Sequence, residues 1–128
     1  MGRPNDFQTT ISLGDLAADE DSVQRVLLKP DRDIYLDAAY LTSGEAISAQ
    51  DTNYNTIAIK DGTDTLFSMA TGPATTGSDV AAGDSTAFTT TTGGRVDAGS
   101  EVTLELTKTG SGLAMPDCGI VLSGYYVR

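Results

Sequence analysis

Val102-Thr103-Leu104-Glu105-Leu106-Thr107 alternates apolar and polar residues without a break, with Asp97 and Gly99 ahead of it and Gly110-Ser111-Gly112 behind. Successive side chains of a strand point to opposite faces, so Val102, Leu104 and Leu106 share one face and Thr103, Glu105 and Thr107 the other. Such a segment is a half-buried antiparallel strand, dry on one side and wet on the other. Its dry face needs partners, and the rest of the chain supplies them.

Val23 to Lys29 is β-prone and stopped by Pro30, and Ile34, Leu36, Ala38 and Tyr40 fall in phase along the next segment. Pro30-Asp31-Arg32 has turn chemistry, which predicts a hairpin between these two strands. Asn55 to Lys60 and Thr65 to Ala70 flank Asp61-Gly62-Thr63-Asp64, the clearest hairpin of the chain, because Asp-Gly supplies the positive φ that tight turns need. Thr86 to Thr92 is strand-prone through its branched side chains. In the last segment, Ile120, Leu122 and Tyr126 share one parity while Val121, Tyr125 and Val127 share the other, which predicts a central strand or one with a face in an oligomer contact. About seven strands with closely spaced turns predict an all-β fold, an antiparallel β-sandwich or jelly-roll-like barrel.

Residues 1–20 read differently. Gly2, Pro4 and Asn5 resist regular structure, while Phe7, Ile11, Leu13 and Leu16 are scattered apolar handles. Two readings stand side by side: an extended N-terminal arm that docks these four side chains on a neighbour, or a frayed terminus. Residues 21–128 then form the sandwich, interrupted at about 71–95 by a long flexible loop of Gly, Thr, Ser, Ala and Pro, with Phe88 as a candidate anchor beside it.

With 128 residues the chain is one domain, and a formal charge of −10 repels phosphate backbones and anionic lipid surfaces. No nucleic-acid or membrane partner is expected, and no apolar run is long enough to span a bilayer. Histidine is absent, which excludes Ser-His-Asp, Cys-His and His-metal arrangements. Lys29, Lys60 and Lys108 sit at strand ends, where lysine is normally solvated. The carboxylate pairs Asp61 with Asp64 and Glu45 with Asp51 lie in turns, without the aromatic cleft of a glycosidase. Asp31-Arg32-Asp33 lacks the Gly and bidentate Glu of a calcium loop, and Asp19-Glu20-Asp21 reads as a solvated charge run. Cys118, the single cysteine, is expected to be buried and inert. The chain therefore reads as a non-enzyme without cofactor, catalytic residue or metal site. Tyr40, Tyr125 and Tyr126 are its candidate contact residues, for oligomer formation or else as core rings with hydroxyls at the rim.

A polar N-terminal segment, a Gly/Thr-rich β-domain, the run Val96-Asp97-Ala98-Gly99-Ser100-Glu101 leading into the alternating strand, and a final apolar strand together resemble small virion proteins of tailed bacteriophages. These are the capsid decoration (cement) proteins and related head-fibre bases. The resemblance implies a jelly-roll-like sandwich, a homotrimer on the outer capsid surface assembled in the host cytoplasm, and the major capsid protein as partner. It also implies that removing residues 1–20 abolishes capsid binding while the β-domain still folds. A carbohydrate- or surface-binding β-sandwich module of a fibre or adhesin, using the 71–95 loop and exposed Tyr, is the competing expectation. A small carboxylate-based hydrolase is a third.

Overall fold

The computed structural model describes residues 6–16, 23–72, 77, 79–92 and 94–127. Ten strands and no helix run through them: β1 (Asp6–Leu16), β2 (Val23–Leu28), β3 (Ile34–Thr42), β4 (Tyr54–Asp61), β5 (Asp64–Ala70), β6 (Ser85–Ala87), β7 (Thr89–Thr90), β8 (Gly94–Val96), β9 (Val102–Thr109) and β10 (Met115–Tyr126). All pairs are antiparallel, and they build two packed sheets. Sheet A has the order β1-β10-β3-β6, with β8 pairing β3 beside β6; sheet B has the order β2-β9-β4-β5-β7. The fold is an antiparallel β-sandwich.

The pairing is nested. β4 pairs β5, β3 pairs β8, β2 pairs β9 and β1 pairs β10, as in one long hairpin coiled so that its pairs fall alternately in the two sheets. At its tip Gly62, at φ +63°, makes the predicted Asp-Gly turn between β4 and β5. The core lies between the sheets. Val102, Leu104 and Leu106 of β9 are buried as their alternation requires, against Phe67, Ile59, Leu36, Ile120 and Leu122. Each such side chain contributes roughly 1.5–3 kcal/mol on leaving water. β10, with β1 on one side and β3 on the other, is the expected central strand.

Three expectations are corrected. Residues 6–16 are not an arm but strand β1, in register with β10 from Asp6↔Tyr125 to Ser12↔Gly119. Leu13 is 5% and Leu16 2% exposed in the domain's own core, so neither is available to a neighbour, and Phe7 and Ile11 pack half-buried on the same core. Removing residues 1–20 would strip a strand from β10, so that truncation does not isolate a docking segment. Residues 1–5 and 17–22, including the Asp19-Glu20-Asp21 run, lie outside the described residues.

Second, β2 and β3 are not a hairpin. β2 pairs β9 in sheet B and β3 pairs β10 in sheet A, so Pro30-Asp31-Arg32 is a crossing between sheets, fixed where the Pro30 carbonyl accepts the Gly99 N–H at 2.8 Å. Third, the later part of the supposed 71–95 loop carries short strands split between the sheets: β6 and β8 pair with β3, while β7 pairs with β5. Phe88, at the turn from β6 to β7, is buried, and its N–H donates to the Ala39 carbonyl at 2.9 Å. This stitch closes one flank of the sandwich. On the other flank β1 and β2 are the edges of their sheets.

Candidate functional site

The outer face of sheet A carries Tyr35, one of two exposed large apolar side chains among the described residues; the other, Val26, lies on β2 of sheet B. β3 begins with Ile34 and Leu36 buried and Tyr35 exposed, then changes phase: Ala39 and Leu41 are buried while Tyr40 turns outward. The cause is a β-bulge. β10 steps from Ser123 to Gly124 while its partner steps from Ala38 to Leu36, which leaves Asp37 as the extra residue. One inserted residue reverses which parity faces the core. Gly124 is required there, because a Cβ would lie 2.0 Å from the Tyr35 carbonyl oxygen.

Tyr125 pairs with Tyr35, their rings stacked with centroids 5.3 Å apart and planes 15° from parallel. Tyr40 pairs with Val121, which shares the outward parity of Tyr125. Three of the chain's five tyrosines thus share one sheet face, and Tyr35 is 37% exposed. Across this face Ser123 Oγ donates to Asp37 Oδ1 at 3.1 Å. At the β8 side, beside Tyr35 in register, Arg95 donates to Asp33 Oδ2 and to Asp97 Oδ1 at 3.2 Å. The Ala98 N–H, donated at 2.8 Å, is the larger influence holding the Asp33 carboxyl below its ordinary value, and Arg95 adds to it.

Tyr126 has the other parity and faces away from this surface. Its ring lies 5.2 Å from that of Phe7, with the Arg32 guanidinium carbon 4.4 Å from its centroid. Phe7, Leu28, Pro30, Ile34 and Tyr126 line a groove of about 300 Å³ at one end of the open flank, with Lys29 and Asp31 also lining it. The structure therefore puts Tyr40 and Tyr125 on one sheet face, four residues apart along β10, and turns Tyr126 to the other face. Tyr35 was not singled out from the sequence, whereas the alternation of the last strand already set Val121 on the same parity as Tyr125.

The acidic candidates sit in structural roles. Asp61 and Asp64 pair across the β4–β5 turn, and burial, followed by the charges of Asp64 and Asp97, pushes the Asp61 carboxyl up. Asp33 is engaged by Arg95 and Ala98, while Glu45 and Asp51 are exposed. Among the described residues no three metal-ligating side chains come together. Lys60 pairs with Glu105 at 3.4 Å. Cys118 is buried, its thiol donating to the Met115 carbonyl at 2.8 Å, and burial, then the charges of Asp117 and Asp15, push its pKa up to about 12. That thiol is chemically quiet.

No protein-family model, curated protein or solved structure matches this chain.

Proposed function

We propose that this protein is a structural component of a virion, decorating and stabilising the outer capsid by binding across major capsid protein subunits. The outer face of sheet A makes the contact. The observation that carries this reading is the placement of the stacked Tyr35–Tyr125 pair and the Tyr40–Val121 pair on one sheet surface. Tyrosine brings a large rigid ring and a polar tip at low entropic cost, and it is enriched among the residues that dominate protein interfaces. The nested strand pairing supports the jelly-roll reading, since two-sheet jelly rolls are an architecture of capsid proteins. A net charge of −10 favours solubility before assembly. Many weak contacts on one shell then add up through avidity.

Sedimentation with empty tailed-phage capsids tests the proposal. The protein is expected to co-sediment at a fixed ratio to capsomers. Tyr35→Ser with Tyr125→Ser is expected to lower binding by about tenfold or more, the scale of interface anchors, with the β-sheet circular dichroism unchanged. Absence of capsid binding by the unmodified protein would overturn it. The stacked Tyr35–Tyr125 pair also offers a platform for a sugar ring, so binding to a glycan array instead would favour the carbohydrate-binding reading.

A further inference from the structure

β1 is an edge strand whose outer side has no strand partner among the described residues. Natural edges are guarded by lysine, proline, bulges or inward-pointing charge. Phe7–Ser12 has none of these guards, and the one charge beside it is Asp6 at the start of the strand. It runs in unbroken register with β10, and the bulges begin only beyond Ser12. Phe7 to Gly14 carries no charge in a chain of net charge −10. An acidic protein meets a copy of itself at lowest electrostatic cost along such a stretch.

The sequence of this edge is also complementary to itself. Two antiparallel copies related by a two-fold axis normal to the sheet must pair residues of like parity, because side chains opposite one another share a face. Thr9 is the midpoint of the regular run. With Thr9 opposite the partner's Thr9, half-buried Phe7 meets the partner's Ile11, and exposed Gln8 meets the partner's Thr10. The one charge in the run, Asp6, falls opposite the partner's Ser12.

We infer that two copies of this chain associate through β1, Thr9 against Thr9, joining their A sheets into one continuous sheet. The inference rests on the edge and is independent of the capsid reading. It requires only the isolated protein to test, so a failure to bind capsids leaves it standing.

Sedimentation equilibrium of the full chain over a range of concentrations is expected to show a reversible species of twice 13.3 kDa. Gln8→Lys with Thr10→Lys sets like charges opposite one another twice across the axis. This variant is expected to weaken association by about tenfold or more, with unchanged melting of the dilute monomer, in which both positions are exposed. Thr9→Cys, with paired Cα atoms about 4.5–5.5 Å apart, is expected to give a disulfide-linked dimer on oxidation. The unmodified chain, whose Cys118 is buried, is expected to give none. A monomer or a trimer at every concentration, association indifferent to the two lysines, or a folded Thr9→Cys protein that does not cross-link would each overturn the inference.

Discussion

The guanidinium of Arg25 on β2 donates to the backbone carbonyl of Leu13 on β1 at 2.9 Å, which ties the edge of one sheet to the edge of the other. On this flank no stitch like that of β6 to β8 closes the sandwich among the described residues, so the bond helps hold the two sheets in line. Arg25→Met keeps most of the stem and removes the donor. It is expected to cost about 1 kcal/mol, read as a lower urea midpoint at unchanged slope. An unchanged midpoint would assign the tie to the packing of Leu13 and Leu16 alone.

Asn55 is the buried polar residue that organises one end of sheet B. Its side chain donates to the Leu113 carbonyl at 2.6 Å and accepts the Leu113 N–H at 3.3 Å. Its backbone exchanges bonds with Thr71 at 3.0 and 2.9 Å. Asn55→Ala leaves both backbone groups of Leu113 without those partners, and a loss of about 2–3 kcal/mol is expected. Asn55→Asp keeps an acceptor, loses the donor and buries a charge. It should be destabilised at neutral pH and recover part of the loss as the carboxyl gains a proton in acid.

Acid titration should separate two carboxylates of opposite sign. Asp33 is held below the model-compound value of 3.8 by the Ala98 N–H and Arg95, so it favours the native state at neutral pH, and that contribution fades as pH falls through its folded value. Asp61 is raised above 3.8 by burial, then by Asp64 and Asp97, so its charge opposes folding at neutral pH and the opposition lifts on acidification. Asp33→Asn is therefore expected to lower stability at neutral pH, and Asp61→Asn to raise it while retaining a good turn before Gly62. Both differences should shrink in acid. Urea melts of the two variants at neutral and acidic pH are the check.

Cys118 should be silent toward a thiol reagent in the native protein and react fully once unfolded. Burial and a thiol pKa near 12 both suppress the thiolate. The labelling rate is then expected to rise with urea in step with the unfolded fraction. Rapid labelling without denaturant would mean that the β10 end of sheet A opens locally.

The alternation of Val102 to Thr107 and the Asp-Gly turn were legible because each is a local signal that packing reinforced. β1 was not. Thr9 interrupts its apolar parity, and the irregular register around Gly14, at φ +70°, shifts Leu16 out of phase with Leu13. Pro30-Asp31-Arg32 has equally good chemistry for a hairpin and for a crossing, because a turn carries no record of which sheet its strands will join. At the candidate site, Tyr40 and Tyr125 were recognisable by residue type alone. Tyr35 was passed over, although Ile34 and Leu36 facing inward turn it outward; the outward place of Tyr40 was the illegible one, because the Asp37 bulge reverses the parity of β3 and the residues that would announce a bulge are ordinary ones.

The nested order has a temporal consequence during synthesis. β10 lies between β1 and β3, so a growing polypeptide carries those two strands with nothing to join them until β10 itself has been made. The β4–β5 ribbon is the first pair to have both members translated, and the pairings of β6, β7 and β8 follow. The first strand to leave the ribosome, β1, is thus the one that waits longest, since β10 is its sole partner among the described residues.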